Sequence, residues 1–144
     1  MSANLDQLAF RFFKLFARFE ATLKEREFYR VENAQIVVDW DRFANEIAGP
    51  DFLANLGDKA ASATYILNEP PKKQGPNAQD KIVWLDVSAE DESVQALFGH
   101  IRRMRNNLYH GGKFNGTWFD PERSEMLLGH GLVVLEHYST WLEH

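Results

Sequence analysis

The sequence predicts an all-α fold, a bundle of four to five helices in a single domain spanning residues 1–144. Three observations carry that expectation. A long apolar stripe of helical period opens the chain. A second fills residues 94–110, and a third closes the chain. Between them, Gly-Pro and Asp-Pro steps break the pattern where helices stop and start.

Each element has its own signal. Leu5, Leu8, Phe12, Leu15, Phe16, Phe19 and Leu23 recur at spacings of three and four, predicting one helix over about residues 4–28. Val37, Val38 and Trp40 lead into a short helical pattern with Phe43, Ala44 and Ile47, ended by Gly49-Pro50. Pro50 suits the first turn of another short helix carrying Phe52, Leu53 and Leu56. Residues 68–81 hold three of the five prolines and no large apolar side chain, and are expected to be an exposed loop. Ile82, Val83, Trp84 and Leu85 read as a short strand or extended packing segment. Ser88 and Asp91 resemble a capping box opening the next helix, whose stripe is Val94, Leu97, Phe98, Ile101, Met104 and Leu108, stopped by Gly111-Gly112. Asp120-Pro121 starts the last helix, through Met126, Leu127, Val134, Leu135, Tyr138 and Trp141.

Composition narrows the chemistry. The 144 residues suit one domain with a sizeable core. No cysteine is present, so thiolate nucleophiles, disulfides and thiolate zinc sites are excluded. His130 and His137 stand seven apart with only Glu136 near, and read as two surface histidines; no metal or cofactor is expected. No apolar run is long enough to span a bilayer, and the first residues lack a signal-peptide pattern, so a cytoplasmic protein away from membranes is expected.

The net charge of −5 argues against general nucleic-acid coating, yet the charge is unevenly placed. Residues 93–119 hold Arg102, Arg103, Arg105 and Lys113 and no acid, leaving 12 cations against 21 acids elsewhere. A basic segment with a histidine suits a phosphate-containing ligand. On an ideal helix Arg105 and His110 diverge by about 140°, so either the helix frays before His110 or a second chain completes the site.

Arg105-Asn106-Asn107-Leu108-Tyr109-His110 resembles the signature of HEPN domains: an arginine, four intervening residues of which the first is polar, then a histidine. Its place, late in the helix before the final helix of a small α-bundle, is also similar. Segments such as FFKLFARFE and RNNLYHGGKF resemble those of small bacterial HEPN proteins, with residues 31–87 matching least. The resemblance implies a HEPN-type bundle and a metal-independent endoribonuclease acting as a homodimer. Such proteins often serve in toxin–antitoxin or anti-phage systems, which adds an antitoxin or regulatory protein as a partner.

On that resemblance His110 is the candidate acid/base, Arg105 the clamp on phosphate, and Asn106 the group that orients either. Arg102, Arg103 and Lys113 are candidates for tracking RNA phosphates. One departure is Gly112, where some HEPN toxins carry a modified tyrosine; that control is not expected here. The alternative reading is a non-catalytic HEPN-like module that binds RNA, a nucleotide or a protein.

Overall fold

The computed structural model describes the backbone of residues 2–109, 113–114, 117–118 and 120–143, and the side chains of residues 4–109 and 120–143. Long helices dominate: α1 (Ser2–Glu25), α5 (Val94–Tyr109) and α6 (Pro121–Glu143). The shorter α2 (Trp40–Phe43), α3 (Phe52–Leu56) and α4 (Ala60–Asn68) fill the middle. Three two-stranded antiparallel ribbons join them: β1 (Tyr29–Glu32) with β2 (Gln35–Val38), β3 (Lys73–Pro76) with β4 (Ile82–Leu85), and β5 (Lys113–Phe114) with β6 (Thr117–Trp118). The mainly helical class is therefore right, and purely all-α is corrected by these ribbons.

The stripe of α1 folds as its spacing demands. Leu5, Phe12, Phe16, Phe19 and Leu23 are buried, and Leu8 and Leu15 pack partly buried beside them. The helix stops three residues short of the expected end. Glu27 adopts φ 67°, its N–H donates to Lys24 O, and the Phe28 N–H donates to Leu23 O. This pair of reversed bonds satisfies the last carbonyls and turns the chain into β1. Asn33 and Ala34 (φ 52° and 62°) form the two-residue turn that the twist of a hairpin requires.

α2 runs without a break into a π-helical turn, Ala44–Ala48, and Gly49 at φ 75° ends it. The loop expected at residues 68–81 is in fact half of a hairpin. Lys73–Pro76 pairs with Ile82–Leu85, and Pro70 and Pro71 are buried. The expected capping box also moves. Ser88 Oγ accepts from the Glu90 N–H, Asp91 Oδ1 from Ser93 N–H, and Ser93 Oγ from Ala96 N–H at 3.1 Å. Ser93 is thus the residue that caps α5, five positions later than the spacing suggested.

The core is centred on rings. Phe43 lies edge-on to Phe19, Phe28, Trp40, Phe98 and Tyr138, at centroid distances of 5.1–6.1 Å. Trp40 also stacks on Phe19 at 5.5 Å, and its indole N–H donates to Glu20 Oε2 at 2.8 Å. Tyr138 is fully buried, and loss of water pushes its hydroxyl up to about 12, so it serves as a packing ring. Gly131 lets α6 come close: a Cβ there would stand 3.0 Å from Phe12 and 3.1 Å from Met104 Sδ. These contacts fix α5 between α1 and α6, with its other face outward.

Because Phe43 joins α1, α2, α5 and α6, Phe43→Ala is expected to cost about 3–5 kcal/mol of stability. Urea denaturation checks it: the midpoint falls with an unchanged slope.

Candidate functional site

The outward face of α5 carries Arg102, Arg105, Asn106 and Tyr109, within an arc of about 100°. Leu97, Ile101 and Met104 form the buried stripe, with Arg105 only about 40° from Ile101, and Phe98 is buried on the arc itself about one turn before Arg102. Packing of the apolar stripe therefore decides where the arginines point. Arg102 is exposed and lies 5.9 Å from the Trp40 ring, so its stem rests on the edge of the core. Arg105 is half-buried between two rings, 5.8 Å from Phe13 of α1 and 5.0 Å from Tyr109. Its Nη1 donates to Asn106 Oδ1 at 3.2 Å. Attraction to these two rings holds the guanidinium without neutralising it.

Elsewhere on the molecule, arginines meet acids. Arg11 pairs with Glu136 at 2.6 Å and Arg18 with Glu143 at 2.8 Å, clamping α1 to α6. Arg30, Arg42 and Arg123 also face carboxylates. Among the described residues, none of Arg102, Arg103 and Arg105 forms an ion pair. The charge asymmetry seen in the sequence thus survives folding as three cations on one helix.

The structure brings Arg102, Arg105 and Asn106 together. Arg103 points elsewhere, about 160° from Arg105 around α5, beside His100, whose protonation its charge disfavours. Its grouping with Arg102 as a phosphate contact is therefore not supported on a single face. His110 lies outside the described residues. Lys113 begins β5, and its side chain also lies outside them.

Three features were not foreseen from the sequence. Asn107 donates from Nδ2 to Lys72 O at 2.7 Å and ties the β3–β4 hairpin to α5. Arg123 reinforces this by donating to Pro70 O at 2.8 Å. Phe10 and Phe13 lie off the apolar stripe of α1, and that displacement is the signal that could have flagged them. A hollow of about 50 Å³ lies under the hairpin, lined by Pro71, Lys72, Trp84, Asn107, Arg123 and Ser124. It has room for about one or two waters.

The other histidines take packing roles. His130 Nδ1 lies 2.9 Å from Ser62 Oγ and its ring stacks on Tyr65, while His137 packs against Tyr138 and Trp141. They are half-buried between helices, which corrects the reading of two surface residues. Among the described residues, no three His, Asp or Glu side chains gather as a metal site. Comparison of the chain with family models, curated proteins and solved structures finds no match.

His100 is buried on α5, and burial, then Arg103, holds its pKa below the ordinary 6.5, with Asp91 opposing. His130 and His137 shift the same way, chiefly through burial. The unfolded chain therefore takes up these protons at a higher pH than the folded one. The stability they allow is intact above 6.5 and is lost as pH falls from there through the folded values. The melting temperature should drop between about pH 7.5 and pH 5, and drop less in His100→Phe. Equal slopes for both proteins would assign the loss to other groups.

Proposed function

We propose that the chain is a metal-independent endoribonuclease of the HEPN type, a helical bundle acting as a homodimer. The observation that carries the reading is Arg105: ring-framed, hydrogen-bonded to Asn106, and without an ion pair among the described residues. A guanidinium so held is ready for a phosphate, the ligand whose fork of oxygens it fits best. Arg102 on the same face extends that contact to a neighbouring phosphate, and Lys113 is placed by sequence close to the motif.

RNA can be cut without a metal because it carries its own nucleophile. In the proposed reaction His110 takes the proton of the ribose 2′-OH, and the 2′-oxygen attacks phosphorus. The bond from phosphorus to the 5′-oxygen breaks, and His110 of the partner subunit gives that oxygen a proton. A 2′,3′-cyclic phosphate and a 5′-hydroxyl result. Arg105 stabilises the negative charge that grows on the phosphoryl oxygens, and Asn106 positions Arg105. Two copies of one motif supply both acid and base, which answers the angular divergence of Arg105 and His110 on a single helix.

The wider setting belongs to the same reading: a cytoplasmic protein of a toxin–antitoxin or anti-phage system, held in check by an antitoxin or regulatory protein. Among the described residues, no helix is long and apolar enough to cross a membrane. A non-catalytic module that binds RNA, a nucleotide or a protein is the competing reading.

Incubating RNA with purified protein in EDTA decides between the two. Arg105→Ala should lower the cleavage rate by about 10²–10³, the usual loss for one charge-stabilising donor. His110→Ala should lower it by about 10²–10⁴. Cleavage equal in all three proteins would remove the assignment, and binding without cleavage by the wild type would establish the non-catalytic module.

A further inference from the structure

Two phenylalanines of α1 face water, and one of them, Phe13, lies beside Arg105 of α5. Phe10 is 69 % exposed and Phe13 is 39 % exposed, one turn apart on the side of α1 that the core does not use. Both are costly as surface residues, because a phenylalanine ring gains most from leaving water. Phe13 also lies near Arg105, which is 5.0 Å from the ring of Tyr109, itself 65 % exposed. Three exposed rings and one cation therefore share this surface: Phe10 and Phe13 on α1, then Arg105 and Tyr109 on α5. Lys14 sits one turn from Phe10 and is exposed; Asp6, the acid on this side of α1, is already engaged.

We propose that Phe10 and Phe13 form a base-stacking platform that seats unpaired nucleotides next to the phosphate held by Arg105. The proposal rests on the RNA-cleaving reading and adds to it the residues that select single-stranded substrate. Charge decides the occupant. Single-stranded RNA offers phosphates beside free π-faces, complementary to exposed rings set beside the Arg105 cation. A second copy of the chain docking here would bring Lys14, Arg102 and Arg105 against their own kind. A base-paired stem keeps its bases stacked on one another and has no free face for Phe10 or Phe13.

Fluorescence anisotropy with a labelled single strand of about twelve nucleotides, beside a blunt-ended RNA duplex of equal length, tests this. The His110→Ala protein is used throughout so that the RNA stays intact. The single strand should bind more tightly than the duplex. Adding Phe10→Ala and Phe13→Ala should weaken single-strand binding by about tenfold or more while leaving duplex binding unchanged. Phe10→Tyr with Phe13→Trp should restore it. Sedimentation should give one mass for all variants.

Unchanged single-strand affinity in the double alanine variant would overturn the platform and leave the ribonuclease reading intact. A lower mass in that variant would overturn it too, by making the two rings a contact between subunits. Failure of the starting protein to bind any RNA would remove the underlying reading and the platform with it.

Discussion

The ring cluster around Phe43 and Trp40 is the contact on which the rest of the molecule depends. It gathers Phe19 from α1, Phe98 from α5 and Tyr138 from α6 against one short helix. Edge-to-face pairs of this kind add about 0.5–1.5 kcal/mol each beyond the area they bury, and they fix orientation as well as distance. The cluster reaches the outer face of α5 through Trp40. One side of its ring system lies near Phe16 and Phe19, and the Arg102 guanidinium lies over it. Core packing thereby sets the rotation of α5 and determines which residues it presents to water.

Charge is sorted by the same packing. The acids of the chain lie off α5, and arginines of α1 meet two of them on α6 across exposed pairs. Such exposed pairs contribute little energy, up to about 1 kcal/mol. Their consequence is spatial: the cations they occupy are neutralised, while those of α5 keep their field. An acidic body with one basic face can admit a polyanion at that face and repel it elsewhere.

Much of this was legible before folding, and what was missed has physical causes. The stripes of α1, α5 and α6 were readable because each buries one continuous face in a shared core. Ser93 was overlooked as the cap of α5 because Ser88 and Asp91 offered the same chemistry five residues earlier, and only backbone geometry separates them. The ribbons were harder. Tyr29–Glu32 is exposed along its whole length, so no alternation betrays it, and Lys73–Pro76 contains Gly75 and Pro76, which read as loop. For the site, Arg105 and Asn106 were named by the resemblance of residues 105–110 to the HEPN signature. The tie from Asn107 to Lys72 O was not foreseen, since one side chain bonding a backbone carbonyl 35 residues away leaves no pattern in the chain.

The central claim is that RNA supplies its own nucleophile while Arg105 bears the charge. The most direct measurement is cleavage, in EDTA, of an RNA carrying a single 2′-deoxy substitution immediately 5′ to its scissile phosphate, with the product ends identified by mass spectrometry. The account predicts that the unmodified strand ends in a 2′,3′-cyclic phosphate and a 5′-hydroxyl, and that the substituted strand stays whole at that position. Cleavage of the substituted strand at the same phosphate would contradict it.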